Sequence, residues 1–503
     1  MSNKSPARKI AKEATISIVG MGFGNAVRYI FTALLARWVG LEYLGIYSLA
    51  NAVTRFAEVF GKAGMERGIL RFVSMKKEPG KEDSIKKNIQ STLKMGSIFA
   101  FIVMAVQMLL SGWLVSTIFH GSSLLKTVII VNAISLPFTV VTMIAAFATQ
   151  GFKLLKYKVF VTNMLAPTVL LLTMITAYFL ISSEMAIILP LLISAIVSFI
   201  VMLFFLKKLT GISLSQVFPA DFNSEIIRFS YPLMFVTIIG TFMHWMDVTM
   251  LGYFTNTETV GLYYPAARTA GLLRAILLAF MSIFSPMLSE LFAQEKRDEM
   301  SHLFKLVVRW ILTLAVPFTI IFILFSKKVM LLFGGEYVQA ANVLIVLTLA
   351  TFIQSFIGAG GPALTMMGHP KVNLINSSIV VVINVILNIL WIPKYGIIGA
   401  AWATLVSLST LGIIRSIEVW YLLKLHPITW KLMKPVTSGC ITYGLLFVIK
   451  PYLMPYHTLI TLLISTVVTL LIYFGILWLL KLDSDDREVW SALLMITNFS
   501  KKK

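Results

Sequence analysis

The 503-residue chain is 58% hydrophobic and only 13% charged, and its mean hydropathy is +0.87. A soluble domain of this length could not bury so much apolar surface, so these values indicate an integral membrane protein. The formal net charge of +21 is scattered over many short segments, which excludes a nucleic-acid-binding patch. The single cysteine, Cys440, excludes a disulfide within the chain and a multi-cysteine metal site.

Apolar runs of about 20 residues, the length of a helix that crosses a bilayer, recur along the chain. They predict an all-α polytopic membrane protein with about 14 transmembrane helices. The first run contains Arg28 and lacks a small-residue cleavage pattern, so we expect a retained helix rather than a signal peptide. The predicted spans lie near residues 14–37, 42–64, 92–117, 126–150, 158–181, 185–206, 228–252, 259–284, 304–326, 338–363, 373–393, 396–421, 433–450 and 458–480.

Short basic segments between the spans predict the orientation. Most of the 43 Lys and Arg residues fall in segments that are cytoplasmic if both termini are cytoplasmic, as the positive-inside rule requires. Lys153, Lys156 and Lys158 belong to this set. We therefore expect a multi-pass protein of the plasma or inner membrane with both termini in the cytoplasm.

Two sequence echoes predict an internal repeat. The segment Leu44–Tyr47 recurs as Val260–Tyr263, and Thr149–Gly151 has a counterpart in Met366–Gly368 at the same separation to within one residue. Transporters are often built from such repeats. The predicted parts are an N-lobe over residues 1–208 (helices 1–6), a C-lobe over 226–424 (helices 7–12), an extra helix pair over 432–481 and a cytoplasmic tail over 482–503.

Polar side chains within the spans mark the candidate site, because a charge at mid-membrane costs about 2.5–3.5 kcal/mol and must face protein or water. Helical spacing places Asn25 with Arg28 on one stripe and Asn51 with Arg55 on another. The candidate substrate-binding residues are Arg28, Arg55, Arg268, Arg274, Asn25 and Asn51. His244 and Asp247 in the seventh span are candidates for ion coupling.

Each of these assignments has a structural alternative. Arg55 and Glu58, three residues apart, either neutralise each other or share the site. Asp247 pairs with His244, pairs with an arginine, or binds a coupling ion. The asparagines of the eleventh span, which include Asn384 and Asn388, suit either a hydroxyl-rich ligand or hydrogen bonds between helices.

The balance of intramembrane charge favours an anionic ligand. Five basic residues (Arg28, Arg55, Lys62, Arg268 and Arg274) oppose two acidic ones (Glu58 and Asp247). A guanidinium offers paired donors that match phosphate oxygens, so a cationic cavity is suited to a diphosphate headgroup. No metal or cofactor is required for this binding, and a cation exporter would need unpaired carboxylates instead.

The first helical hairpin also carries a family resemblance. Residues 36–47 (ARWVGLEYLGIY), followed by 64–68 and 71–73, resemble polysaccharide-type flippases, the O-antigen and teichoic-acid exporters of the multidrug/oligosaccharidyl-lipid/polysaccharide superfamily. Residues 395–404 (YGIIGAAWAT) resemble the signature of that family's twelfth helix. The resemblance implies two six-helix lobes and alternating access, with Arg28 as the closest match to a functional arginine and His244 as a departure.

The same resemblance implies a non-enzymatic function. The expected activity is transport of a polyprenyl-diphosphate-linked oligosaccharide from the cytoplasmic to the outer leaflet for cell-surface polysaccharide biosynthesis. The expected protein is a monomer that works beside glycosyltransferases and a polymerase of its pathway. Alternatives are a flippase for the peptidoglycan precursor and a multidrug or cation antiporter. A membrane glycosyltransferase would need clustered outer carboxylates, whereas only isolated acids such as Glu42, Glu184, Glu258 and Glu336 occur there.

Overall fold

The structure, a computed structural model, describes residues 6–75, 82–426 and 429–480, so the predicted tail over 482–503 lies outside the described residues. The described chain is almost entirely helical and contains no β-strand. A π-helical segment, Phe160–Leu165, joins the seventh helix to the eighth. The α-helices are α1 (Pro6–Val39), α2 (Leu41–Lys62), α3 (Met65–Met75), α4 (Glu82–Trp113), α5 (Ser123–Ile134), α6 (Leu136–Gly151), α7 (Leu155–Val159), α8 (Ala166–Leu180), α9 (Met185–Thr210), α10 (Ser224–Phe254), α11 (Thr257–Ala293), α12 (Arg297–Leu324), α13 (Ser326–Leu331), α14 (Ala341–Ile357), α15 (Gly360–Met366), α16 (Pro370–Leu423), α17 (Met433–Leu453) and α18 (Thr458–Leu479).

Twelve helical segments of the described residues are long and apolar enough to cross a membrane. Two features account for the difference from the fourteen predicted spans. Helix α2 is 22 residues long but carries Glu42, Arg55, Glu58 and Lys62. Helix α16 is 54 residues long and is broken at Gly396, where φ is 59° and ψ is −137°, so it contains two spans. The predicted all-α polytopic fold with about 14 transmembrane helices is confirmed.

The described residues form two compact units. The first contains the chain up to Thr269 together with Phe333–Val343 and Ser377–Thr404. Its apolar core is built from α3, α4, α6 and α9, with Ile69, Leu93, Ile144 and Met202 fully or almost fully buried. The predicted division into six-helix lobes stays a prediction, because compactness alone does not identify repeats.

The second unit contains Ala270–Leu332, Leu344–Asn376 and the chain from Leu405 onwards. In it the predicted C-terminal helix pair is present: α17 packs against α18, and both pack against α12. Leu446 of α17 and Tyr473 of α18 are fully buried in this three-helix cluster.

The two echoed segments Leu44–Tyr47 and Val260–Tyr263 meet within the first unit. A Cβ atom added at Gly45 would lie 1.8 Å from the Thr257 carbonyl oxygen, and one added at Gly261 would lie 2.0 Å from the Leu41 carbonyl oxygen. Small residues allow membrane helices to approach until their backbones touch. The reciprocal glycines therefore fix the crossing of α2 and α11 at the start of both helices.

Candidate functional site

Close packing of α1 against the segment around α7 builds one wall of the site. A Cβ atom at Gly20 would lie 2.1 Å from Val159 Cγ1, and one at Gly24 would lie 2.4 Å from the Asn163 carbonyl oxygen. This glycine pair, four residues apart, has the spacing of a helix-contact motif. It brings the face of α1 that carries Arg28 against the π-helical segment Phe160–Leu165.

The π-helical segment supplies the partner of Arg28. Pro167 lies just beyond it and has no N–H for the carbonyl four residues earlier, so the regular α-helical bonding is interrupted here. Arg28 Nη2 donates a hydrogen bond to the Thr162 carbonyl oxygen at 3.0 Å. Among the described residues, no carboxylate lies within ion-pairing distance of this guanidinium. Arg28 is therefore held by a neutral group, and its charge is not cancelled.

Beside Arg28 lies a cavity of about 360 Å³. It lies within the first unit and is lined by residues of α1, α2, α6, α7, α8, α9 and the π-helical segment. Its charged lining residues are Arg28, Arg55, Lys158 and Glu58, and its polar lining residues are Thr139, Thr142, Thr162, Asn163, Ser194 and Ser198. With three basic residues and one acidic residue, the lining has a formal charge of +2. The predicted cationic character of a cavity is thus present in the first unit.

Glu58 balances part of this charge. Its carboxylate accepts hydrogen bonds from Arg55 Nη1 at 2.8 Å and from Lys62 Nζ at 3.1 Å. The predicted pairing of Arg55 with Glu58 is confirmed. The Arg55 side chain nevertheless remains 42% exposed, so its guanidinium faces the cavity as well as Glu58.

The sequence-predicted arginines do not all line this cavity. Arg268 lies within electrostatic range of Arg28, as Arg55 does, but it is not among the lining residues. Arg274 lies six residues further along α11 and belongs to the second unit. Asn25 is half-buried and Asn51 is buried, and neither lines the cavity. The structure therefore brings together Arg28 and Arg55 from the predicted set, with Arg268 nearby.

Sequence reasoning missed Lys158 as a site residue, because it counts Lys158 among the cytoplasmic basic residues that indicate orientation. Lys158 lies on α7 and lines the cavity. The predicted span near 158–181 begins at Lys158, and Lys158 lies four residues before Thr162, so helical spacing places the two on one face. The hydrophobic pattern alone does not distinguish a basic residue that marks the membrane edge from one that lines a cavity.

A second polar cluster of the first unit surrounds Asp247 on α10. Its carboxylate accepts hydrogen bonds from Tyr263 Oη at 2.8 Å, from Asn388 Nδ2 at 3.0 Å and from the Thr404 hydroxyl. Asn388 Nδ2 also donates to Asn384 Oδ1 at 3.1 Å. Among the described residues no ion pair between Asp247 and a basic side chain is present.

His244 lies one helical turn before Asp247 and has a different environment. Its side chain is exposed, and its ring meets that of Trp245 edge-on at a centroid distance of 5.4 Å. The asparagines of the eleventh span, in contrast, hold helices together, since Asn388 bridges α16 to α10. Three or more His, Cys, Asp or Glu side chains do not converge into a metal site anywhere in the described part of the chain.

Comparison with known proteins gives the family. Residues 10–292, more than half of the chain, match the model of the polysaccharide biosynthesis protein family. The chain belongs to this family. Residues 232–390 also match the MatE family, which agrees with the resemblance of this polysaccharide biosynthesis family member to the wider exporter superfamily.

Among its relatives, a probable low-salt glycan biosynthesis flippase (Agl15) of Haloferax volcanii is 29% identical over 201 residues, or 40% of this chain. That alignment spans 43% of the relative, less than half of its length. An uncharacterized membrane protein of Methanocaldococcus jannaschii is 23% identical over 440 residues, covering 83% of this chain and 84% of the relative. These matches, with the twelve candidate spans, identify a multi-pass membrane protein.

The fold is similar to that of the lipid II flippase MurJ in an inward closed conformation. The TM-score is 0.72, and the superposition covers 91% of this chain and 97% of the other. The sequences are 17% identical, so the likeness shows the fold alone.

Proposed function

We propose that this protein is a flippase that carries a polyprenyl-diphosphate-linked oligosaccharide from the cytoplasmic to the outer leaflet of the plasma membrane. The observation that carries this proposal is Arg28, a cavity-lining guanidinium whose partner is the neutral Thr162 carbonyl. Such a group keeps its charge available for phosphate oxygens. Membership of the polysaccharide biosynthesis family and similarity to a glycan biosynthesis flippase support the same conclusion.

The cavity reduces the cost of moving a polar headgroup through hydrocarbon, where charges and hydroxyls are expensive. Arg28 meets the diphosphate, Arg55 adds to the positive charge of the lining, and the hydroxyls of Thr142 and Ser194 face the adjacent sugar. The volume of about 360 Å³ lies within the usual range of small-ligand pockets, about 300–1,000 Å³, so it takes the diphosphate and the first sugar rather than the whole oligosaccharide. The prenyl tail stays in lipid.

Energy for export comes in part from the membrane potential. Moving an anion outward across an inside-negative membrane gains about 2.3 kcal/mol per charge per 100 mV. We assign a further contribution to coupling with a monovalent cation, a proton or sodium, at Asp247. Its surroundings are rich in oxygen atoms, and the Oδ1 atom of fully buried Asn388 has no hydrogen-bond partner among the described residues. Oxygen ligands of this kind suit hard cations, and exposed His244 is the second candidate for coupling.

Substitution of Arg28 tests the proposal. Purified protein in proteoliposomes is given a fluorescent prenyl-diphosphate oligosaccharide, and headgroup translocation is measured for wild type, Arg28→Ala and Arg28→Lys. We expect Arg28→Ala to lower flux by about 10- to 100-fold, since a hydrogen bond to a charged group contributes about 1.5–3 kcal/mol. Arg28→Lys should fall between the two.

The control is Arg228→Ala, which removes an exposed arginine of α10 that does not line the cavity. It should transport like wild type. Wild-type flux from Arg28→Ala at equal reconstitution would contradict the proposal.

A cation antiporter is the alternative that a specific observation favours, because Asp247 is an acid without a basic partner among the described residues. In that case an organic cation would be exported, and flux would require Asp247 but not Arg28. The same proteoliposomes loaded with a cationic dye distinguish the two functions. A peptidoglycan-precursor substrate offers the same diphosphate chemistry, so it is compared directly as a second lipid in the assay.

The proposed setting is that of the biosynthetic pathway. We propose a monomer with both termini in the cytoplasm, supplied by glycosyltransferases and followed by a polymerase that consumes the exported unit. Accessibility of the lone Cys440, which is exposed in α17, to reagents added from either side of the membrane provides one topology marker.

A further inference from the structure

Lys158 is the cavity cation that neither the charge pattern nor the family resemblance assigns. Its Nζ donates a hydrogen bond to Gln150 Oε1 at 2.8 Å and lies 3.3 Å from the centroid of the Phe147 ring. No carboxylate among the described residues lies within ion-pairing distance. An amide oxygen and an aromatic face orient an ammonium group without cancelling its charge. Lys158 therefore adds a formal positive charge to the cavity lining, with Glu66 within electrostatic range but beyond ion-pairing distance.

Lys158 is part of the segment that also contains Thr162, and Arg28 reaches this segment from α1, one turn further along. The Thr162 hydroxyl donates to the Lys158 carbonyl oxygen at 2.9 Å, and the Thr162 carbonyl oxygen accepts from Arg28. One helical turn rises about 5.4 Å. The two cations are thus anchored about one turn apart, an arrangement suited to two linked phosphates that meet one cation each.

The formal charge of the lining supports the assignment of one cation to each phosphate. The formal charge of the lining is +2, from the three basic residues Arg28, Arg55 and Lys158 and the one acidic residue Glu58. This charge matches the two negative charges of a diphosphate diester. Without Lys158 the lining would carry +1, which matches a phosphodiester. A further donor is present: Ser198 lines the same cavity, is 5% exposed, and its hydroxyl has no hydrogen-bond partner among the described residues.

We propose that Lys158 is the residue that makes this flippase select diphosphate-linked over monophosphate-linked lipid carriers. The inference rests on the proposed flippase function and adds the residue that distinguishes a diphosphate carrier from a monophosphate carrier. Arg28 holds one phosphate in either carrier, while Lys158, positioned by Gln150 and Phe147, holds the second phosphate that only the diphosphate carrier has.

The test uses two synthetic lipids that share the oligosaccharide and the prenyl chain and differ in one phosphate. KM and kcat for translocation are measured in proteoliposomes for wild type, Lys158→Gln, Lys158→Met and Lys158→Arg. The matched control is Lys156→Gln, because Lys156 lies on the same short helix, is exposed and does not line the cavity.

For wild type and Lys156→Gln, we expect the KM for the diphosphate carrier to be about ten-fold lower than the KM for the monophosphate carrier. This ratio corresponds to a difference of about 1.4 kcal/mol in binding free energy. Lys158→Gln and Lys158→Met should reduce that ratio to near one, and Lys158→Arg should restore most of it. A merely structural role for Lys158 would raise KM for both carriers alike or lower kcat with an unchanged ratio. Either result overturns the inference.

A different experimental result would contradict the proposed flippase function itself. If wild type translocates neither lipid, the proposed flippase function fails and the inference fails with it. If wild type translocates both with equal KM, or prefers the monophosphate carrier, transport stands and the role assigned to Lys158 is wrong.

Discussion

The Arg28 cavity and the Asp247 cluster lie in the same compact unit, and each holds a charge without a counter-charge. They differ in how the charge is satisfied. Arg28 donates to one backbone carbonyl and borders a cavity, whereas Asp247 accepts from three side chains on two other helices. A charged group with few partners beside a cavity is available to a large ligand. A carboxylate whose oxygen atoms already accept several hydrogen bonds can bind and release only a small ion. Binding or release of that ion changes the hydrogen bonds to the two helices that carry the donors.

This difference predicts that substitutions at the two sites affect stability and transport unequally. The largest loss of stability is expected from substitution of Asp247. Asp247→Ala leaves the donors of Tyr263, Asn388 and Thr404 without an acceptor. Each stranded buried donor costs about 1–3 kcal/mol, so thermal unfolding in detergent should show a loss of about 3 kcal/mol or more. Asp247→Asn keeps an acceptor and should lose about half as much, while both variants abolish cation-dependent transport.

The contrast is checked with Arg28→Ala and with Asp221→Asn, which changes an exposed acid. Arg28→Ala removes one hydrogen bond and should cost about 1 kcal/mol or less in stability, although we expect its flux to fall by about 10- to 100-fold. Equal destabilisation by Arg28→Ala and Asp247→Ala would show that the two charges play the same structural role.

An intermediate effect is expected from Gly24→Ala. The added methyl group would meet the Asn163 carbonyl oxygen at 2.4 Å, so α1 must move away from the π-helical segment. Overpacking of this kind costs about 1–3 kcal/mol, and the shift should weaken the hydrogen bond from Arg28 to Thr162. Flux should therefore fall by about ten-fold, as measured in the same proteoliposomes.

Gly22→Ala is the matched control, because nothing lies within 4 Å of a Cβ atom built there. Alanine in a helix is favoured over glycine by about 0.5–1 kcal/mol, so this variant should be as stable as wild type or more so. A comparable loss of flux in both variants would mean that contact with the π-helical segment does not position Arg28.

The smallest effect is expected from Glu58→Gln. The change releases Arg55 and Lys62 from their shared carboxylate and raises the charge of the lining from +2 to +3. An anionic headgroup should bind more tightly and leave more slowly, so KM and kcat should both fall by about two- to five-fold, corresponding to partly screened charges of about 0.5–1 kcal/mol. Glu225→Gln, an exposed acid at the start of α10, should change neither value.

The sequence predicted the helices well because bilayer thickness imposes a strong length signal. It also singled out Arg28, which borders a cavity, since a mid-span charge is conspicuous, and it predicted the pairing of Arg55 with Glu58, since helical spacing is local. Contacts between distant helices could not be predicted in this way. Lys158 is counted with the cytoplasmic basic residues because basic residues at a membrane edge normally indicate topology.

The environment of Asp247 shows the same limit. Its donors Asn388 and Thr404 lie 141 and 157 residues further along the chain, and no periodicity connects them. The break of α16 at Gly396 lies between these two donors. Only the tertiary fold determines that both reach one carboxylate.

The discontinuous make-up of the first compact unit has a consequence for biosynthesis. Chains are made at about 5–20 residues per second, so the ribosome needs roughly 8–30 s to travel the 157 residues from Asp247 to Thr404. Tyr263 is made 16 residues after Asp247, but during most of that interval the nascent protein contains a membrane-embedded acid whose partners Asn388 and Thr404 have not yet been made. Translation arrest before Asn388 should therefore leave a product that membrane quality control recognises, even though most of the spans have already been inserted.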